Sequence, residues 1–208
     1  MVNYGEAFKR PFRDLKKLVI GIILAIIPIV NLIAIGYILT NTKSAMRKNY
    51  QLTEWGNWAD LFVKGLLYVV ISVIYILPAL ALLLLMFGVA LLQMSRGIFN
   101  PAIVISHMAT FGVEMIVFLS LLILAIYLIP AAVLNYIVQN RFGAAFDFST
   151  IKKRAFKGEY FAAWFVGGVF SVAVAVILSF IPIIGYGIAS FITMMTFYTM
   201  VAEAWASK

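Results

Sequence analysis

Few residues in the chain could do chemistry, and the most suggestive of them interrupt its apolar stretches. His107 and Glu114 are seven residues apart, so a helix would place both on one face, with Thr110 between them. An ionisable group at depth in a membrane is costly enough to indicate a proton-linked or cation site. The remaining polar candidates at depth are Asn31, Asn135 and Gln139.

Each of these candidates also has a structural interpretation. His107 and Glu114 would mark a wet outer rim if residues 97–113 form a loop outside the membrane. Asn31 would cap a helix that starts just after Pro28. The sequence leaves both interpretations open.

Catalytic and cofactor motifs are missing from the sequence. It contains no HExxH, GxSxG, Walker-type or paired-carboxylate arrangement. The single histidine excludes a multi-histidine metal site within one chain, and the lack of cysteine excludes thiolate chemistry. We therefore predict a non-enzymatic protein with no catalytic residues, no metal ligands and no cofactor.

Composition identifies the solvent in which the chain folds. Hydrophobic residues make up 64% of it and charged residues 12%, whereas soluble domains carry about 25% charged residues. The bilayer must therefore solvate most of the chain. The net charge of +8 is typical of basic loops that set topology and contact anionic headgroups, and no nucleic-acid partner is expected.

Charged residues divide the sequence into five uncharged windows, at 18–42, 65–95, 97–113, 115–140 and 160–202. The basic residues concentrate in 1–17, 43–64 and 141–159, which the positive-inside bias places in the cytoplasm. Window 18–42 must then enter and return as a short or re-entrant hairpin that turns near Pro28; a single span is the alternative. The 43 residues of 160–202 are too long for one span and predict a second hairpin that turns at 181–185.

The predicted fold is therefore all-α: a polytopic membrane bundle with five to six membrane-embedded helices. Residues 1–208 form one transmembrane domain in the plasma membrane, with both termini cytoplasmic. Pro28, Pro78, Pro130 and Pro182 recur at spacings of 50, 52 and 52 residues. This spacing indicates an internal repeat of roughly 1–100 and 101–208.

Three basic segments, 8–19, 52–66 and 148–160, have an apolar stripe at helical spacing, with Thr53 and Ser149 as candidate N-caps of the last two. Such helices lie in the headgroup plane, where they either recruit anionic lipid or an acidic partner, or only anchor the ends of spans. The predicted interfacial residues are Lys9, Arg13, Lys16, Lys17, Trp55, Trp58, Lys152, Lys153, Arg154, Trp164 and Trp205.

Small residues recur every four positions along the last apolar run. This spacing predicts a seam through which the two arms of the second hairpin pack closely, or alternatively a face for a second protomer. The seam consists of Ala163, Gly167, Ser171, Ala175, Ser179, Gly185 and Ala189.

Short motifs link the chain to a known family. They are Ile27-Pro28, Gly36-Tyr37, Trp55 and Trp58 with Leu61 and Gly65, and Ile181-Pro182 with Gly185. In these motifs the chain resembles a prokaryotic, often archaeal, membrane-protein family catalogued as domain of unknown function 4013. The resemblance covers most of the chain. It implies a multi-span membrane protein and supplies no catalytic or ligand residues.

Two functions are compatible with this sequence. The first is a structural or accessory protein that scaffolds a membrane complex or organises lipid, with anionic lipids and a membrane-protein partner or a second copy as partners. The second is a small transporter or channel whose path runs between helices broken near Pro28 and Pro182. Polar groups that converge on a midplane cavity would favour transport.

Overall fold

The computed structural model of the chain describes residues 1–95 and 101–207. Within these ranges the protein is helical and contains no strand, which confirms the all-α prediction. Two 3-10 helices lie at Arg10–Phe12 and Phe142–Phe146. The α-helices are α1 (Tyr4–Lys9), α2 (Leu15–Ile26), α3 (Asn31–Met46), α4 (Trp58–Ser95), α5 (Pro101–Gln139), α6 (Phe148–Ala155), α7 (Gly158–Leu178) and α8 (Ile184–Ala206).

Among the described residues, four helices are long and apolar enough to cross a membrane, slightly fewer than the predicted five to six. They lie at Trp58–Gly88, Phe111–Gln139, Gly158–Leu178 and Ile184–Ala206. The two helices in window 18–42 do not qualify, because α2 has 12 residues and α3 has 16, and a span needs about 20. They form the predicted short hairpin, and α7 and α8 form the predicted C-terminal hairpin.

Residues 101–113 form a helix and not the loop predicted for 97–113. They begin α5, which continues without a break to Gln139. Pro101 occupies its first position, where the missing N–H of proline costs no hydrogen bond. Glu114 interrupts the apolar sequence but not the helix, because one charged side chain does not end a helical run. Residues 97–100 lie outside the described part of the chain.

The chain divides into two compact units. The first contains Met1–Ile71 and Pro130–Lys208, and the second contains Ser72–Ile129. The described residues of the second unit belong to α4 and α5, where the rings of Phe87 and Phe111 meet edge to face with centroids 6.4 Å apart. The predicted internal repeat is not tested by this division and stays a prediction.

Helix α8 is the centre of the first unit. It contacts α1, α2, α3 and α7, and large side chains such as Phe191 and Met195 are fully buried on it. Gly21 of α2 faces the ring of Phe191, and Gly187 of α8 faces Ile26; a Cβ atom at either glycine would overlap its neighbour. Helix α2 therefore runs antiparallel to α8 in very close contact.

A second close crossing joins α3 to the start of α4. A Cβ atom at Gly36 would overlap the backbone carbonyl of Leu61, and one at Gly65 would overlap that of Leu32. Because backbone cannot move aside as a flexible side chain can, only glycine fits at either position. Gly36, Leu61 and Gly65 are among the residues that carry the family resemblance, and this crossing gives them a structural reason.

The first unit has two chemically different ends. At one end the turn at residues 27–30 joins α2 to α3, and the turn at 179–183 joins α7 to α8; we call these turns the tips. The contact between Ile26 and Gly187 places both tips at the same end. At the opposite end, which we call the base, Asn3 bonds to Glu203 near the end of α8. The base thus includes both ends of the described chain.

Both tips contain the sequence Ile-Pro-Ile, and in both the second isoleucine has a positive φ. The angle is 69° at Ile29 and 63° at Ile183, a region that β-branched residues rarely adopt. Each of these side chains is 71% exposed. The chain therefore retains a strained isoleucine that contacts little protein at each tip.

The seven residues of the predicted small seam do not form one face. Ala163, Gly167, Gly185 and Ala189 are buried, and a Cβ atom at Gly167 would lie 2.7 Å from the ring of Phe197. Ser171 is half-buried, whereas Ala175 and Ser179 are exposed. A spacing of four residues gains roughly 40° per step over a helix with 3.6 residues per turn. Four steps therefore rotate Ser179 to the side of α7 opposite Ala163.

None of the three basic segments is one continuous helix. Residues 8–19 are divided between α1, a 3-10 turn and α2, and 148–160 are divided between α6 and α7. Residues 52–57 are not helical, and α4 begins at Trp58. The predicted caps are also wrong: Thr53 lies in the loop, and the N-cap of α6 is Asp147, whose side chain accepts from the Thr150 N–H.

Candidate functional site

Arg10 is the centre of a polar cluster at the base. Helix α1 ends at Lys9, and the 3-10 turn that follows it contains Pro11. This turn directs the Arg10 side chain into the protein, where the side chain is fully buried. Its Nη1 donates to Thr199 Oγ1 at 3.0 Å. Its Nη2 donates to the Asn41 carbonyl at 2.8 Å and to Ser44 Oγ at 2.6 Å. One guanidinium therefore joins the N-terminal segment, α3 and α8.

Burial disfavours the charged form of the Arg10 guanidinium. Loss of water contact lowers the pKa of its guanidinium to about 10, and the nearby Tyr37 and Glu203 only partly oppose that effect. The side chain still carries its proton at neutral pH. A buried cation of this kind needs acceptors on every side to be tolerated.

Glu203 supplies the negative charge of the cluster. It is only 6% exposed, and its Oε2 accepts a hydrogen bond from the Asn3 backbone N–H at 2.9 Å. Tyr50, in the loop after α3, faces the same carboxylate. Burial, and then the charge of Glu203, raises the pKa of Tyr50 to about 12. The hydroxyl therefore stays protonated at neutral pH.

The loop before α4 is clamped onto α3. The Asn41 side chain donates to Thr53 Oγ1 and accepts from the Thr53 N–H, both at 3.1 Å. The Tyr37 hydroxyl donates to the Thr53 carbonyl at 2.8 Å. Tyr37 stacks on Trp55 with ring centroids 3.7 Å apart, and Trp55 stacks on Trp58. Tyr37, Trp55 and Trp58 carry the family resemblance, and here they hold the loop in place.

A cleft of about 380 Å³ opens beside this clamp, between the start of α2 and the loop. Its lining residues are Arg13, Asp14, Lys17, Gln51, Leu52 and Glu54. The Lys17 ammonium lies 2.6 Å from Glu54 and 3.3 Å from Asp14, and it donates to the Leu52 carbonyl. The hydrogen bond to Glu54 raises the pKa of Lys17. Lys17 is therefore buried in an ion-pair network, and the predicted headgroup contact is not available to it.

Helix α6 attaches to the base through its basic residues. Arg154 donates to the Trp205 carbonyl at 2.6 Å and lies over the Trp205 ring. Ile151 and Ala155 are buried beneath the helix, while Lys152 and Lys153 remain exposed. Trp205 is 2% exposed, so it packs inside the base and does not lie at the surface as predicted.

The candidate ion site does not assemble as one cluster. Asn135 donates to the Ala144 carbonyl at 2.8 Å, and Gln139 donates to Asn135 at 3.0 Å, so both fasten the end of α5 to the following loop. Asn31 is half-buried in the first turn of α3 and does not cap it; the N-cap is Val30, without a side-chain bond. Glu114 is half-buried in the second unit. The side chains of His107 and Thr110 lie outside the described part.

The remaining predicted interfacial residues lie at the surface to different degrees. Lys9, Arg13, Lys16 and Trp58 are exposed, and Trp55 and Trp164 are half-buried. Arg13 pairs with Glu6 and lies over the Tyr50 ring, 5.4 Å from its centroid. Arg13 is therefore part of the base and not a free cation.

Sequence reasoning missed the polar cluster at the base. Arg10 and Thr199 are 189 residues apart, and no local pattern relates them. One signal was available: Glu203 is the only acidic residue after Glu159 and ends a long uncharged run. A lone carboxylate beside an apolar helix requires a donor or a cation from elsewhere in the chain.

Comparison with known protein families shows that a family model covers most of the chain. A family model described as a protein of unknown function (DUF4013) matches residues 19–183, a range that includes both Ile-Pro-Ile tips. No curated protein and no solved structure matches the chain significantly.

Proposed function

Because the chain belongs to the DUF4013 family of unknown function and has four helices long and apolar enough to cross a membrane, we propose that it is a non-enzymatic integral membrane protein that organises lipids. Both hairpins of its first unit enter the bilayer from one side and keep their neighbouring tips in the hydrocarbon, and its base binds anionic headgroups. The proposal follows from the different chemistry of the two ends of the first unit.

The length and polarity of the α2–α3 hairpin carry the proposal. Helix α2 has 12 residues, or about 18 Å, whereas the hydrocarbon core is about 30 Å thick. Its N-cap Asp14 and the Lys16 of its first turn lie at the base, and its outer face is an exposed apolar stripe. The stripe consists of Leu15, Val19, Ile23 and Ile27. A hairpin with a charged base and an apolar tip enters a bilayer from one side and ends inside it.

The backbone of the tips suits a hydrocarbon environment. In the first tip the N–H of Asn31 donates to the Ile27 carbonyl at 2.9 Å, and the N–H of Leu32 donates to that of Ile29. In the second, the N–H of Ile184 donates to the Pro182 carbonyl at 2.7 Å. The prolines contribute no N–H to satisfy. Internal bonding of this kind lets a turn leave water.

The base offers cations to anionic headgroups. Phe148 and Phe156 are more than half exposed beside the basic face of α6, a combination typical of helices in the interface plane. Basic residues near a membrane surface contribute about 1 kcal/mol each to the attraction of acidic lipids. The exposed lysines of the first unit are Lys9, Lys16, Lys43, Lys48, Lys152 and Lys153.

The same arrangement supports an orientation. Asn3 and Glu203 place both ends of the described chain at the base, and the positive-inside bias favours the cytoplasm for a basic end. We infer that the protein lies in the plasma membrane with its base on the cytoplasmic side. A scaffold role in a membrane complex would use the same exposed base.

Association of spin-labelled lipids with the reconstituted protein tests the proposal. Wild-type protein in phosphatidylcholine vesicles should bind spin-labelled phosphatidylglycerol more strongly than spin-labelled phosphatidylcholine. The preference should fall in a Lys152→Gln/Lys153→Gln variant, because both side chains are exposed and unbonded to the base. Gln51→Ala, an exposed neutral change at the base, should leave it unchanged. Equal association of both lipids with the wild type would refute the proposal.

Transport is the second candidate, and the buried polar cluster favours it. Ionisable groups such as Arg10 and Glu203 inside an apolar protein mark ion or proton pathways in many membrane proteins. Liposomes that contain the protein and a pH-sensitive dye would measure proton or ion flux. A protein-dependent flux that Glu203→Gln abolishes would support transport, and flux equal to that of empty liposomes would exclude it for the ions assayed.

A further inference from the structure

The cleft beside the loop clamp has a charged lining whose formal charges sum to zero. Two of its lining side chains are basic, two are acidic, one is a neutral amide and one is apolar. They are Arg13, Lys17, Asp14, Glu54, Gln51 and Leu52. The cleft volume of about 380 Å³ lies within the usual range of ligand sites, about 300–1,000 Å³. A ligand without net charge therefore suits this cleft better than an ion of either sign.

Lys17 belongs to the wall of the cleft and has no donor left for a ligand. An ammonium has three N–H donors. Those of Lys17 face the Leu52 carbonyl at 2.9 Å, Glu54 Oε1 at 2.6 Å and Asp14 Oδ2 at 3.3 Å. This arrangement fixes the two carboxylates on either side of one buried cation.

Three other lining side chains keep groups that a ligand can reach. Arg13 bonds to Glu6 through Nη2 and lies over the Tyr50 ring, and its Nε and Nη1 have no protein acceptor among the described residues. Glu54 contacts Lys17 through Oε1 only, and its side chain is 87% exposed, so Oε2 remains to accept. The side-chain amide of Gln51 is exposed and makes no hydrogen bond within the described part of the chain.

These groups define the chemistry of the ligand. The forked N–H donors of Arg13 suit a phosphate or carboxylate, and Oε2 of Glu54 suits a cation that donates hydrogen bonds. A primary ammonium donates three such bonds, whereas a trimethylammonium donates none. Proteins recognise a trimethylammonium group with aromatic rings, and none of the six lining residues is aromatic. The cleft therefore distinguishes ethanolamine from choline.

We propose that this cleft binds a zwitterion that carries an anionic group and a primary ammonium, the chemistry of a phosphoethanolamine headgroup. Arg13 holds the anionic group, and Glu54 accepts from the ammonium. The exposed apolar stripe of α2 begins at Leu15, the residue after Asp14, and offers a surface for lipid chains beside the cleft. Binding of a lipid there presupposes the proposed function and adds a second class of headgroup to the anionic one.

The first arm of the test measures lipids in phosphatidylcholine vesicles that contain the full chain. Phosphatidylethanolamine with a spin label on its acyl chain should associate about two- to fivefold more strongly than the matching phosphatidylcholine, the range expected from one partly exposed charged contact. Glu54→Gln should remove this preference. Glu159→Gln, the same change at an exposed carboxylate of the base that does not line the cleft, should keep it.

The second arm distinguishes a lipid from a free molecule with the same headgroup. Glycerophosphoethanolamine and glycerophosphocholine are titrated into the protein in phosphatidylcholine nanodiscs, and calorimetry measures the heat of binding. Heat with the ethanolamine compound alone, lost in Glu54→Gln, would support the site with a soluble zwitterion as its ligand. A preference in the vesicle arm alone would support it with a lipid.

A steric variant tests the position of the site without a change in charge. Gln51→Trp places a large side chain in the cleft and should abolish the ethanolamine preference, while the preference for phosphatidylglycerol persists. An ethanolamine preference that survives both Gln51→Trp and Glu54→Gln would overturn the proposal, because the ligand would then bind elsewhere. Equal behaviour of ethanolamine and choline compounds in both arms would also overturn it. In that case an intact phosphatidylglycerol preference, lost in Lys152→Gln/Lys153→Gln, would leave the proposed function standing.

Discussion

The base and the tips of the first unit both hold non-glycine residues with a positive φ, but these residues have opposite chemistry. Lys48, just after α3 at the base, has a φ of 56°, and Ile29 and Ile183 at the tips have similar angles. In the described part of the chain, the two remaining non-glycine residues with positive φ are Asn57 and Asn140. Asparagine tolerates this region, whereas for isoleucine it is a strained outlier. The chain therefore accepts strain at the tips in order to keep an apolar, exposed side chain there.

The two ends also differ in how they are held. At the base, side chains from distant segments bond to one another, as Arg10 does to Thr199 and Asn41. At the tips, bonds between nearby backbone groups secure the turns. Side-chain bonds of the first kind suit a boundary with water and headgroups, and internal backbone bonds suit hydrocarbon. We infer from this difference that the base faces water and headgroups and that the tips face hydrocarbon.

The largest effect should come from the base. Arg10→Ala removes three hydrogen bonds and leaves Glu203 as a buried charge, which should destabilise the protein by about 3–5 kcal/mol. Thermal or denaturant unfolding in mild detergent measures the loss. Lys9→Ala, at the neighbouring exposed position, should change stability by less than about 0.5 kcal/mol. Equal effects of the two variants would mean that the cluster contributes nothing.

A charge at a tip should have the next largest effect, and only in a bilayer. Ile29→Lys should cost about 2–3 kcal/mol in lipid, because a lysine in the hydrocarbon layer is costly even when its chain reaches toward the interface. The matched change at the base, Lys48→Ile, places an isoleucine at a residue whose φ is also positive. The free energy of unfolding of both variants should be measured in bilayers and in detergent micelles. Only Ile29→Lys should cost more in bilayers than in micelles. If Ile29→Lys costs nothing in lipid, the tip lies in water.

Replacement of Ile183 by glycine tests, with a smaller expected effect, whether the second tip faces hydrocarbon or water. Ile183→Gly removes roughly 1–2 kcal/mol of backbone strain, but in lipid it also removes about 1.5–3 kcal/mol of hydrocarbon solvation. The variant should therefore be neutral or destabilised by about 1 kcal/mol in a bilayer. A stabilisation of more than about 1 kcal/mol there would show that the isoleucine faces water.

The smallest effect concerns the loop clamp at the base. Thr53→Val removes one side-chain hydrogen bond to Asn41 and keeps the shape of the residue, so it should cost about 1 kcal/mol. Hydrogen exchange of residues 51–57 should rise in this variant, because the loop loses part of its attachment to α3. Gln51→Ala, which is exposed in the same loop, serves as control. Unchanged exchange in Thr53→Val would mean that the aromatic stack alone holds the loop.

The sequence predicted the features that depend on local composition. The uncharged run 160–202, with Pro182 at its centre, indicated the α7–α8 hairpin, and basic flanks on both sides of 18–42 indicated the α2–α3 hairpin. Both are present. Local features were also the source of error where a single residue was given too much weight: Glu114 was treated as a boundary, although it lies within α5.

The features that the sequence did not predict depend on contacts between distant segments. The cluster at the base joins Arg10 to Thr199, and Lys17 is paired with Glu54 of a distant loop as well as with Asp14. The seam failed for a geometric reason, since a four-residue spacing drifts around the helix until Ser179 leaves the interface. No periodicity in one segment contains the information about which residue of another segment it will meet.

The depth of Ile29 in the bilayer decides whether the tips lie in hydrocarbon or in water. The chain has no cysteine, so Ile29→Cys and Lys48→Cys are each the only thiol in the protein, and both replace exposed residues with positive φ. In reconstituted vesicles, a membrane-impermeant maleimide should react rapidly with the cysteine at position 48. The cysteine at position 29 should stay unlabelled whichever side of the membrane the maleimide is added to. A nitroxide at 29 should then collide with oxygen and not with a water-soluble nickel chelate. Rapid maleimide labelling at position 29 would show that the first tip lies in water and that the hairpin does not end in hydrocarbon.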